Sequence, residues 1–173
     1  MAVVEHQERR VIPDPGFPDD RGQADPDLAA ALARHGAGTA SSGQVLEALQ
    51  DARLLVPVVA VLGEVEVDDA GLAHDKTSDM AAVLLQNRDG RTGLLAFSST
   101  AAMERWNPEA RPVPVPAATA ATAAVQDGAA ALLVDVAGPA PYVVTGEDLE
   151  RLAAGWRLVR VGGGHGWIGP PGE

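Results

Sequence analysis

The chain has 173 residues, with 13 basic and 24 acidic side chains, a formal net charge of -11 and no cysteine. That length suits one domain with short appendages, and the missing thiol excludes disulfides, a cysteine nucleophile and cysteine metal sites. A surface this acidic gains little from neutralising phosphates, so neither nucleic acid nor an anionic membrane is expected as a partner.

Residues 1–24 are rich in proline, aspartate and charge, with Phe17 as their single Phe, Tyr or Trp. They bury too little apolar surface to offset ordering, so a mobile or loosely docked acidic, Pro-rich arm is expected. MAVVEHQERR is not a basic stretch followed by an apolar leader. The longest apolar run, Leu54–Leu62, is broken by Pro57 and falls far short of the roughly 20 residues of a membrane helix. A cytoplasmic protein is the expectation.

A domain is expected over residues 25–161. ADPDLAAALARHG reads as a helix capped by Asp25, with Pro26 at its first position and Gly36 as its stop. SSGQVLEAL reads as a second, with Ser41 and Gln44 as a capping box and Val45, Leu46 and Leu49 on one face. RLLVPVVAVLGEVEV is β-branched and almost continuously apolar, as a strand buried on both faces would be, with Pro57 at its start or at a bulge, and past Gly63 it turns to alternating Glu and Val.

An acidic loop follows. Within it, Gly71–Thr77 approaches a phosphate loop, but Asp75 stands in place of the second glycine and would repel phosphate. His74, Asp75 and Asp79 share the loop without metal-ligand spacing, and the arm's aspartates lack the spacing of a calcium loop. No cofactor or metal is expected.

MAAVLLQNRDGRTGLLAF predicts a hairpin with strands at about 80–87 and 92–97 and an Asp89-Gly90 turn. A two-residue loop would set Arg88 opposite Arg91, a small cationic tip that either awaits an acidic partner or splays into water. In FSSTAAMERW, Ser98 and Ser99 lie at a strand-to-helix step but lack the flanking glycines of a nucleophile elbow; Ser99 or Thr100 as a helix cap accounts for the composition.

RPVPVP (Arg111–Pro116) removes every second N–H. Such a segment pairs on one side and refuses a neighbour on the other, which predicts an edge strand rather than a polyproline docking peptide. AATAATAAVQDG predicts a helix with Ala117, Ala121, Ala124 and Val125 on a smooth face. AALLVDVAG is a buried strand carrying Asp135, a partly buried carboxylate suited to capping. YVVTGEDLERLAAG is a strand and a helix with Thr145 and Asp148 as a capping box. WRLVRV is a last strand, and residues 162–173 form a Gly/Pro-rich tail. Its GHGWIG has glycine-fingerprint spacing, but no helix follows to hold a pyrophosphate.

These elements imply an α/β (α+β) fold: a single domain with a mixed sheet of about five to six strands, including a β-hairpin, covered by helices. FPDDRGQADPDLAAAL, LLVPVVA, HDKTSDMAAVLL, DGRTGLLAFSST, RPVPV, DVAGP and LAAGW, in that order from Phe17 to Trp156, resemble the SseB-like proteins of actinobacteria, which carry the SseB N-terminal domain. The resemblance implies an α/β domain and no established catalytic set to carry over.

The reading preferred on sequence is a non-enzymatic adaptor or regulatory protein, with an unidentified protein partner and self-association as a further option. Its candidate interaction residues are Lys76, Ser78, Asp79 and Met80 in the loop, Arg88 and Arg91 at the hairpin tip, and Trp106 beside the edge strand. The alternative is a small-molecule binding domain or enzyme with a pocket at strand ends near Lys76, Asp79, Ser98, Ser99 and Asp135.

Overall fold

The computed structural model describes residues 16–61 and 79–172. Helix α1 (Pro26–Gly36) starts where Asp25 accepts the N–H groups of Asp27 and Leu28, both at 3.0 Å. It ends through Gly38 at φ +75°, so the left-handed residue is Gly38 rather than Gly36. Helix α2 (Ser42–Leu49) carries the expected capping box: Ser41 accepts Gln44 N–H, and the Gln44 side chain accepts Ser41 N–H at 2.9 Å. Val45, Leu46 and Leu49 are buried below it.

Strand β1 (Arg53–Val61) pairs antiparallel with β2 (Asp79–Ala82) on one side and with β5 (Arg111–Pro116) on the other. A second ladder runs β3 (Leu84–Gln86), β4 (Thr92–Ala96), β6 (Ala131–Val134), β7 (Tyr142–Thr145), with β4 and β6 parallel. The ladders join where Leu55 and Phe97 exchange backbone hydrogen bonds of 2.8 Å and where Leu95 N–H donates to the Val83 carbonyl. The path β5-β1-β4-β6-β7 is therefore a mixed sheet of the expected size, and β2 and β3 are halves of one segment broken at Val83.

Pro57 lies mid-strand, not at a start or bulge. Leu55 N–H points to Phe97, so two residues on the missing donor of Pro57 faces the gap before the first β2 pair, Val58 with Ala82. The proline thus occupies the one stretch of that side where β1 changes partner.

β5 is an outer strand, as its alternating prolines require. Val113 and Val115 lie opposite Val56 and Leu54, and the next alternate residue, Ala117, donates its N–H to the Ala52 carbonyl at 3.1 Å. That parity turns Pro112, Pro114 and Pro116 away from β1, where no donor is needed.

The β3–β4 hairpin differs from expectation in its turn. Asn87 N–H donates to Arg91, Gly90 N–H donates to Asn87, and only Gly90 is left-handed, at φ +81°. The loop is a three-residue turn with a glycine bulge, so Asn87, not Arg88, stands opposite Arg91. Asn87 Oδ1 explains the choice: it accepts both Asp89 and Arg91 N–H, at 3.0 and 2.9 Å.

One sheet face is covered by α1, α2, α4 (Ala117–Gln126) and α5 (Gly146–Ala153) around Leu28, Leu46, Leu54, Leu94, Leu132 and Leu149. Each fully buried leucine contributes about 2 kcal/mol. Ala117, Ala120, Ala121 and Ala124 let α4 lie close to the sheet, while Val125, expected on that face, is exposed. α5 has no side-chain cap: Thr145 makes none, because Gly146 at φ +56° redirects the chain, and Asp148 instead accepts the Trp167 indole N–H at 2.9 Å.

The other face carries α3 (Thr100–Trp106), capped by Ser99, whose Ala102 and Met103 pack over Leu55, Leu95 and Phe97. Gly164–Ile168, expected as tail, is strand β9, paired antiparallel with β8 (Arg157–Val161). The glycines form its turn and permit its approach to α2; a Cβ on Gly43 of α2 would fall 2.5 Å from His165 Nδ1. Residues 16–24 run back over the domain: Arg53 bonds Asp20, the Gln23 carbonyl and the Ser98 carbonyl, and the Gly22 carbonyl accepts Thr100 N–H.

Candidate functional site

Strand alternation places Leu85, Gly93, Ala131, Leu133 and Val143 on the same face as α3. α3 covers only the end of that face nearest Phe97. Over the remainder, the described residues leave a groove of ≈ 670 Å³ across β3, β4, β6 and β7. Leu85 is 38% and Val143 48% exposed there, and Leu133 is half-buried. Gly93 deepens the floor, since a Cβ at that position would fall 2.7 Å from the Leu133 side chain. Among the described residues Arg91 is the only charged one in the lining, with Gln86, Asn87, Thr92 and Thr145 supplying neutral polar groups.

A second, smaller cavity of ≈ 170 Å³ lies at the carboxyl ends of the parallel pair β4 and β6, bounded by Ser98, Ser99, Asp135 and Arg105. Asp135 is 7% exposed and takes a left-handed backbone at φ +53°, a conformation aspartate tolerates better than most residues. Its carboxylate accepts Ser98 N–H at 2.8 Å and Ser98 Oγ–H at 2.6 Å. Both hydrogens of Ser98 are thereby committed to one side chain, and Ser99 Oγ is committed to Ala102 N–H at the start of α3. These are the bonds of a clamp between strand ends.

The candidate residues thus separate. Ser98, Ser99 and Asp135 come together. Arg91 lines the large groove and Arg88 sits in the same turn. Trp106 is half-buried and stacks on Phe97, with ring centroids 5.7 Å apart. The backbones of Asp79 and Met80 pair with Val61 and Ala60 in β2; Lys76 and Ser78 lie outside the described residues. Leu85, Leu133 and Val143 were not among the candidates. The signal for them was present: strands apolar on both faces, with too few helices to cover both.

No helix among the described residues is long and apolar enough to cross a membrane. A family model for the SseB protein N-terminal domain matches residues 28–151, from the core of α1 to the last turn of α5. No curated protein and no solved structure matches the chain.

Proposed function

The chain belongs to the SseB N-terminal domain family, and from that premise and the open sheet face we propose that it is a non-enzymatic adaptor or regulatory domain of the cytoplasm, which binds a protein partner through the groove on β3, β4, β6 and β7. The groove is the observation that carries the reading. Apolar residues on the exposed face of a sheet with a parallel central pair are ordinarily covered, and a contiguous apolar depression rimmed by polar groups is the usual mark of a binding surface. The hairpin tip, with Arg88 and Arg91, belongs to the same surface, and arginine is a residue that tends to carry interface energy.

The test places a photo-crosslinking residue at Val143 in the groove and, separately, at Val113 on the sealed border. The adaptor reading expects a protein crosslinked from Val143 and not from Val113, and loss of that product when Leu85→Asp is introduced. The competing small-molecule reading draws on the buried Asp135 beside the smaller cavity. A metabolite that raises the melting temperature of the wild type but not of Asp135→Asn, with no protein crosslinked at Val143, would replace the adaptor reading.

A further inference from the structure

The groove's dimensions and charge indicate what kind of partner would fit it. Four adjacent strands at about 4.8 Å spacing span about 14 Å, enough for one α-helix of about 10 Å diameter laid on the sheet. The opposite face of the same strands is covered by helices, so a helix here would complete a helix–sheet–helix sandwich. An added strand would instead extend the border at β7 and leave Leu85 and Leu133 uncovered.

Charge supplies the second constraint. The whole chain carries a net charge of -11, yet among the described residues the groove lining holds one cation, Arg91, and no carboxylate. Arg88 adds a second cation in the adjoining turn. Among the described residues neither arginine forms an ion pair, whereas Arg53, Arg151, Arg157 and Arg160 each do.

Resting on the adaptor reading above, we propose that the occupant is an amphipathic helix of a partner protein with an acidic flank, seating apolar side chains on Leu85, Leu133 and Val143 and carboxylates toward Arg91 and Arg88. One helix buries on the order of 1,000 Å² in total, the size of a transient interface. Rim charges act mainly on encounter and salt dependence.

The experiment uses the full chain with the photo-crosslinking residue at Val143 and identifies the attached segment by mass spectrometry. The expected segment has apolar residues at i, i+3, i+4 and i+7 and an excess of Asp and Glu. Arg88→Glu with Arg91→Glu lowers the yield about tenfold at low salt, and a synthetic peptide of that segment loses about tenfold in affinity when its Glu residues become Gln. A basic segment or a yield indifferent to charge reversal overturns the acidic helix while leaving the adaptor standing, and a segment from this same chain overturns both. Absence of any protein crosslink at Val143 removes both.

Discussion

Ser98 gives both its backbone N–H and its hydroxyl hydrogen to the two carboxylate oxygens of Asp135, at 2.8 and 2.6 Å, and so ties the carboxyl end of β4 to that of β6. Both residues are buried, which raises the cost of breaking the pair from one side. Asp135→Ala leaves a buried N–H and a buried hydroxyl without acceptors and puts alanine into a left-handed backbone; about 3 to 4 kcal/mol of stability should be lost. Asp135→Asn keeps one acceptor and the tolerance for that backbone, and should cost about half as much. A urea-denaturation cycle with Ser98→Ala should give a coupling energy of about 1 to 2 kcal/mol. Strict additivity would mean that the clamp is not a stabilising unit.

The second prediction concerns the sealed border. Pro112 and Pro114 point away from β1, so Pro112→Val with Pro114→Val restores two outward donors without disturbing the pairing inside the domain. Each substitution should cost about 0.5 to 1 kcal/mol through a less restricted unfolded chain. Edge-to-edge association should then appear in light scattering. Adding Val113→Lys should suppress it, because a charged side chain at an edge opposes pairing. An unchanged mass at high concentration would show that the prolines are not what keeps this border single.

These two cases mark what local sequence rules can reach. Asp25 with Pro26, the Ser41–Gln44 box and the alternating prolines are each decided by one backbone's own donors, so they were legible. The hairpin turn was not, because the Asn87 side chain, rather than the Asp-Gly pair alone, selects the three-residue loop. β9 escapes a local reading because nothing in GHGWIG marks a strand, and only pairing with β8 makes it one. The groove is built from one residue on each of several strands, and only their registers bring Leu85, Gly93, Leu133 and Val143 together.

A third prediction follows from Arg53. It bonds Asp20, the Gln23 carbonyl and the Ser98 carbonyl, and the side chains of Arg53 and Asp20 are each 12% exposed. Arg53 Nε also lies 2.5 Å from Asp20 Oδ2, a close charge contact whose angle does not make it a hydrogen bond. Removing one member of a pair this buried costs about 3 kcal/mol, since the other charge stays behind. Asp20→Asn should therefore speed tryptic cleavage after Arg21 and deprotect Thr100 N–H, which is held by the Gly22 carbonyl. Equal cleavage rates in variant and wild type would place the hold on residues 16–24 elsewhere.

Tyr142 is the chain's only tyrosine, so its ionisation can be read directly from tyrosinate absorbance. Burial raises its pKa above the ordinary 10.0, opposed by the hydrogen bond with Ser42 and assisted by the charge of Asp148. A raised folded pKa favours the neutral phenol, so this stability is present below the unfolded pKa and is lost as pH rises through the folded one. The absorbance change should come above about pH 10 and coincide with alkaline unfolding. Tyr142→Phe should move the alkaline limit upward while costing about 1 kcal/mol at neutral pH through the lost bond to Ser42. Titration at the ordinary value with the fold intact would contradict the burial argument.

The last prediction concerns the β8–β9 hairpin, which lies outside the matched family region. Glu47 on α2 accepts Arg160 Nε through both oxygens, at 3.1 and 2.9 Å, and lies 3.2 Å from His165 Nε2. The Arg160 hydrogen bond, with that of His165 behind it, holds the Glu47 pKa below 4.5 against the opposing effect of burial. A depressed folded pKa contributes stability above the unfolded value, and that contribution disappears as pH falls through the folded one. Hydrogen exchange in β8 and β9 should therefore rise, relative to the sheet core, as pH drops below about 4.5. Glu47→Gln should show the faster exchange already at neutral pH and no further acid-induced change. Gly43→Ala tests the same contact sterically, because its Cβ would displace the His165 ring; it should loosen the hairpin while keeping the pH dependence through Arg160. If the acid response of the hairpin survives Glu47→Gln, another carboxylate governs it, the most direct alternative being Asp51, whose Oδ1 lies 2.5 Å from Arg157 Nη1 on β8.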